Sequence, residues 1–139
     1  MTLPATKIAV NSSSLPVLLI EDEPAVMALV RATLERSGYA VVCASSGVEA
    51  LRLLESEKFL GVVSDMRTPG GVSGADVHSW VVRYRPELAS RIVFITGDFA
   101  NEETVETLQK TGAPYVEKPF RVQQFISVVE KIMGKHCER

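Results

Sequence analysis

Five short apolar runs punctuate the chain: Val17-Leu-Leu-Ile20, Ala40-Val-Val-Cys-Ala44, Leu60-Gly-Val-Val63, Ile92-Val-Phe-Ile95 and Tyr115-Val116. The first four are nearly continuous in hydrophobicity, the pattern of parallel strands covered on both faces. Amphipathic stretches fill the intervals. Val26, Leu29, Val30 and Leu34 fall on one helical stripe, and Gly38 follows as a left-handed stop. Ser46 with Glu49 predicts a capping box ahead of Leu51 and Leu54. Ser73 with Asp76 repeats the device before Val77, Trp80, Val81 and Tyr84. Asn101, Glu102 and Glu103 open a helix that carries Val105 and Leu108 and ends at Gly112. Val122, Phe125, Ile126, Val129, Ile132 and Met133 form the strongest apolar stripe.

Strand and helix therefore alternate five times. Strict alternation predicts an α/β fold with a parallel sheet and right-handed crossovers. Five strands are few for a closed barrel, so an open three-layer sandwich is expected. Sites in such sheets form outside the carboxyl ends of the strands. Those ends read Glu21-Asp22-Glu23, Ser64-Asp65, Ile95-Thr96-Gly97-Asp98 and Glu117-Lys118-Pro119. Carboxylates, a hydroxyl and an ammonium thus converge on one edge.

Composition narrows the classes. The 139 residues suit one domain with one core. Residues 1–16 read as a flexible lead-in or linker, 17–134 as the domain and 135–139 as a frayed tail. A net charge of −2 gives no basic footprint for nucleic acid and no polybasic reason to sit on an anionic membrane. No apolar run approaches the roughly 20 residues that span a bilayer, and no signal peptide is read at the start. Cys43 and Cys137 form neither a disulfide framework nor a metal cluster, which fits a reducing cytoplasm. His78 and His136 read as surface residues.

Neighbouring carboxylates repel unless a cation lies among them. Oxygen ligands suit a hard ion such as Mg²⁺ (or Mn²⁺). A carboxylate can also act as a nucleophile and form an acyl phosphate; phosphoryl transfer then needs chiefly positioning and charge neutralisation. Each residue also has a plain reading: Asp22 as a helix cap, Asp65 as an Asx turn, Thr96 as a turn cap, Lys118 as a solvated lysine. Glu21 and Glu23 read equally well as bystanders. The convergence on four strand ends favours the joint chemical reading.

The same segments resemble a known family. Val17-Leu-Leu-Ile-Glu-Asp-Glu-Pro24, Asp65-Met-Arg-Thr-Pro-Gly-Gly-Val-Ser-Gly74, Ile92-Val-Phe-Ile-Thr-Gly97 and Tyr115-Val-Glu-Lys-Pro-Phe120 are similar to the motifs of response-regulator receiver domains. The resemblance runs from about Val17 to Met133. It implies a flavodoxin-like sheet of order 2-1-3-4-5 with five helices. It implies Asp65 as phosphoacceptor, Asp22 as principal acidic metal ligand and Glu21 as its partner through water. Arg67 would supply a backbone carbonyl to the metal, Thr96 the hydroxyl and Lys118 the ammonium that meet the phosphoryl group. Tyr115 corresponds to the aromatic switch residue, and the Lys118–Pro119 bond to a cis peptide. The implied partners are a histidine kinase or phosphotransfer domain and a downstream protein; a homodimer is compatible.

Three departures stand out. Glu21 replaces the commoner Asp. The Gly70-Gly71 loop is one residue longer, with Thr68 in place of Met. Arg67 and Asp98 flank the site, where they are expected to form an ion pair over the acyl phosphate. The domain would not count as an independent enzyme. Its parent is either a hybrid sensor histidine kinase or a freestanding regulator. An aspartyl-phosphate phosphatase and a pseudo-receiver scaffold are the competing classes. The first would want a second acid where Arg67 stands, and the second would not need all four site residues.

Overall fold

The computed structural model describes residues 15–67, 70–97, 102–119 and 121–134. Its elements alternate as β1 (Val17–Ile20), α1 (Pro24–Arg36), β2 (Val41–Ala44), α2 (Gly47–Ser56), β3 (Gly61–Asp65) and α3 (Gly74–Tyr84). A short 3₁₀ turn (Pro86–Leu88), β4 (Ile92–Thr96), α4 (Glu102–Thr111), β5 (Tyr115–Glu117) and α5 (Val122–Met133) complete the fold. All strand pairings are parallel and the sheet order is β2-β1-β3-β4-β5. This is the flavodoxin-like arrangement expected from the sequence. Strand limits shift slightly: β2 starts at Val41, and β3 runs on to include Ser64 and Asp65.

Side-chain alternation splits the core into two layers. Leu18, Ile20, Val62 and Phe94 face α2, α3 and α4, meeting Leu54, Val77, Val81 and Leu108. Val17, Leu19, Val63, Val93 and Ile95 face α1 and α5, meeting Val30, Leu34, Phe125 and Val129. Both faces of the central strands are thus covered, which is why their sequences read as unbroken apolar runs.

Local signals explain the helix ends. Helix α1 closes in a Schellman arrangement. The Tyr39 N–H donates to the Leu34 carbonyl, the Gly38 N–H donates to the Glu35 carbonyl, and Gly38 takes φ +98°. Ser73 and Asp76 form the full capping box at α3. At α2 the box is half formed: the Ser46 hydroxyl accepts from the Glu49 N–H, but the Glu49 carboxylate reaches Ser45 instead. The cap expected at Asn101 lies outside the described residues, as do residues 1–14, Thr68, Asp98, His136 and Cys137.

Expectations from the helical stripes and for His78 are corrected: Tyr84 and Val122, placed on the α3 and α5 stripes, are 56% and 44% exposed at the stripe margins. Leu29 is 50% exposed, because the α1 stripe points Val30 and Leu34 at the sheet and leaves Leu29 at its margin. His78 is not a plain surface residue: its ring lies 5.9 Å from that of Phe94, and burial pushes its pKa down. Phe125 fills the centre of the α1/α5 layer and is fully buried. Phe125→Ala is therefore expected to lower stability by about 3–5 kcal/mol, read as a shift in the urea midpoint.

Candidate functional site

Parallel register builds the site. Ile20 pairs with Ser64, so Glu21 and Asp65, each one residue further on, emerge side by side. Asp65 pairs with Ile95 and Thr96 with Glu117, which brings the hydroxyl and Lys118 to the same edge. The Lys118 N–H donates to the Thr96 carbonyl over 2.8 Å, and the Lys118–Pro119 peptide is cis.

Asp65 is buried, and both of its oxygens are engaged. Oδ2 accepts from Lys118 Nζ at 3.0 Å, and Oδ1 accepts from the Arg67 N–H at 3.1 Å. The second bond is the Asx turn, so the plain reading and the chemical one hold together. The backbone around Asp65 is also fixed. Ser64 Oγ donates to its carbonyl at 2.8 Å, and a Cβ on Gly74 would lie 2.6 Å from that same oxygen. Glycine is thus required where α3 begins against Asp65. Gly70 and Gly71 in the longer loop take φ +87° and +82°, a region that favours glycine.

Glu21 is fully buried. Its Oε1 lies 3.4 Å from Lys118 Nζ, and its Oε2 accepts from the Glu23 N–H at 3.1 Å. Burial pushes the Glu21 carboxyl above the ordinary carboxylate range. The Glu23 N–H and the Lys118 charge pull against that rise, and the Asp65 charge adds to it. For Lys118, burial alone would lower the pKa. The hydrogen bond and charge of Asp65, with Glu21 behind them, outweigh burial and hold the ammonium above its usual value.

Oxygens of Glu21, Asp22 and Asp65 all lie within 4.8 Å of one another. These are hard donors around a deficit of positive charge, and they fit Mg²⁺ or Mn²⁺. Asp22 is exposed and does not cap α1; Glu23 occupies the N-cap position, followed by Pro24. Thr96 is buried at the end of β4, whereas Tyr115 is 44% exposed on the edge strand β5. The backbone of Arg67 belongs to the site, and the residue also borders a small groove with Ser73, Ala75, Thr104 and Thr107. Its expected partner Asp98 lies outside the described residues. An apolar cleft of about 410 Å³, lined by Val26, Leu29, Gly97, Lys118 and Pro119, opens beside the site and accounts for the exposed Leu29.

The sequence leaves Glu23 at even odds of being a bystander; its Oε1 lies 3.7 Å from Lys118 Nζ. Its adjacency to Asp22 at the end of β1 was the available signal.

Comparison with known proteins decides the family. The model of the response regulator receiver domain matches residues 17–130. The chain belongs to that family. The polar-differentiation response regulator DivK of Brucella ovis is 31% identical over 119 residues, covering 85% of this chain and 95% of the relative. A CheY-like receiver domain protein from Methanospirillum hungatei JF-1 superposes with a TM-score of 0.77 at 24% identity, covering 88% of this receiver and 97% of the other chain. The receiver domain of a sensor histidine kinase from Pseudomonas aeruginosa PAO1, solved with magnesium in its active-site cleft, gives 0.76 at 23% identity, covering 87% and 98%. These structural likenesses extend the fold assignment. The receiver is accordingly a domain of two-component signalling. Among its described residues, no helix is long and apolar enough to cross a membrane.

A raised Glu21 pKa has a defined sign. Below the unfolded carboxylate pKa the residue is protonated in both states and costs nothing. As pH rises, the unfolded chain releases its proton first, so the folded state loses stability until its own higher pKa is passed. Glu21→Gln removes that loss. Urea titrations without divalent ions should show its stability advantage over the natural chain growing between acid and neutral pH, and shrinking when Mg²⁺ is added. A pH-independent difference would contradict this account of Glu21.

Proposed function

We propose that this receiver accepts a phosphoryl group on Asp65 from the phosphohistidine of a histidine kinase or phosphotransfer domain. The observation that carries the reading is Asp65 itself: a buried carboxylate 3.0 Å from the Lys118 ammonium and clustered with Glu21 and Asp22. An Asp65 oxygen forms the new bond to phosphorus as the P–N bond to the donor imidazole breaks, and the electron pair leaves on nitrogen. Lys118 takes up charge on the phosphoryl oxygens, and the Thr96 hydroxyl donates to another. Asp22, Asp65 and the Arg67 backbone carbonyl would hold Mg²⁺ or Mn²⁺ directly, with Glu21 acting through water. When bound, the cation neutralises charge on the transferring group and orients it.

Phosphorylation then shifts Thr96 and Tyr115 and biases the face of α4, β5 and α5, where a downstream protein or a second copy would dock. The domain catalyses its own modification rather than turning over an independent substrate, and it works in the cytoplasm. The likeness to receivers of histidine kinases supports a place in, or beside, a hybrid sensor kinase. The DivK relatives, 95% of whose length is covered, support the freestanding alternative. An aspartyl-phosphate phosphatase is disfavoured by Arg67 where its second acid would stand.

Incubation with a small phosphodonor and Mg²⁺ is expected to add the mass of one phosphoryl group, and Asp65→Asn should abolish the gain. Repeated turnover of an unrelated phosphoester would favour the phosphatase. No modification would favour a binding scaffold.

A further inference from the structure

We infer that Glu23 is a specificity-determining residue of this site, selecting against phosphodonors that carry more negative charge. The inference rests on Asp65 being the phosphoacceptor. Glu23 stands exposed at the rim, yet its Oε1 lies 3.7 Å from Lys118 Nζ. That ammonium also serves Asp65 at 3.0 Å and Glu21 at 3.4 Å. The contact with Lys118 is the Glu23 carboxylate's link to the site. It sits at the N-cap of α1 but its side chain makes no capping hydrogen bond.

Charge gives the consequence. When ionised, Glu21, Asp22, Glu23, Asp65 and Lys118 together carry three negative charges. One divalent cation leaves a single negative charge among these groups, and Glu23 holds its carboxylate at the exposed rim of the site. Repulsion between Glu23 and a donor scales with the donor's charge and falls as salt is added.

Acetyl phosphate and phosphoramidate make the discriminating pair. Both transfer the same group to an Asp65 oxygen. Acetyl phosphate arrives as a dianion; its P–O bond breaks and acetate leaves with the electron pair. Phosphoramidate arrives with one net negative charge; its P–N bond breaks and ammonia leaves, its nitrogen already carrying the needed proton.

The test measures phosphorylation rates by intact mass at saturating Mg²⁺ for the natural chain, Glu23→Gln and Glu23→Asp. At low ionic strength, Glu23→Gln is expected to accelerate acetyl phosphate about fivefold and phosphoramidate about twofold. Both gains should collapse at high salt, and Glu23→Asp should retain the natural preference. A merely structural role would change both donors by the same factor at every salt concentration. Equal acceleration, or none, with the natural chain still reacting, overturns this inference and leaves the phosphoacceptor reading standing. A natural chain that gains no phosphoryl mass from either donor overturns both.

Discussion

Negative charge is crowded at the carboxyl edge of this sheet, and Lys118 carries much of the burden of holding it there. Glu21 is fully buried, Asp65 nearly so, and both lean on the same ammonium. Such a cluster in a low-dielectric setting is costly unless its charges are paired and hydrogen-bonded. The Glu23 and Arg67 N–H groups supply two of those bonds. Burial keeps the Glu21 pKa raised in spite of those bonds. A site poised in this way is one that a divalent cation and a phosphoryl group can change sharply.

The fold makes this crowding affordable. The strands carrying Glu21 and Asp65 lie at the centre of the sheet with helices on both sides, so the apolar layers around Phe94 and Phe125 anchor the edge from below. Alternation then divides the work. Asp65 shares the parity of Val63, toward α1 and α5, while Ser64 and Thr96 share that of Phe94, toward α2, α3 and α4. Gly74, pressed against the Asp65 carbonyl, ties α3 to the same peptide.

Much of this was legible in the sequence. Strands covered on both faces announce themselves as unbroken apolar runs, and the order of polar residues after those runs singles out Glu21, Asp22, Asp65, Thr96 and Lys118. What local pattern could not carry was context. Asp65 satisfies an Asx turn as well as a chemical site, and it is the contacts with Lys118, 53 positions away, and with Glu21 and Asp22 that separate the two meanings. The helical stripe placed Leu29 inside, but α1 turns Val30 and Leu34 to the sheet and leaves Leu29 beside a cleft. His78 reads as polar, yet the depth of α3 sets it on Phe94. Glu23 looks like one acid among three, and its position against Lys118 depends on how the chain turns after β1.

The proposed divalent-cation site around Asp65 draws its residues from separate strand ends. The direct measurement is a Mg²⁺ titration followed by backbone amide NMR. The account predicts saturable shifts that fit one ion per chain and concentrate at Glu21–Glu23, Asp65–Arg67 and Lys118. They should be lost or greatly weakened in Asp22→Asn. Shifts scattered over the surface without saturation, or saturable shifts centred elsewhere in the fold, would contradict it.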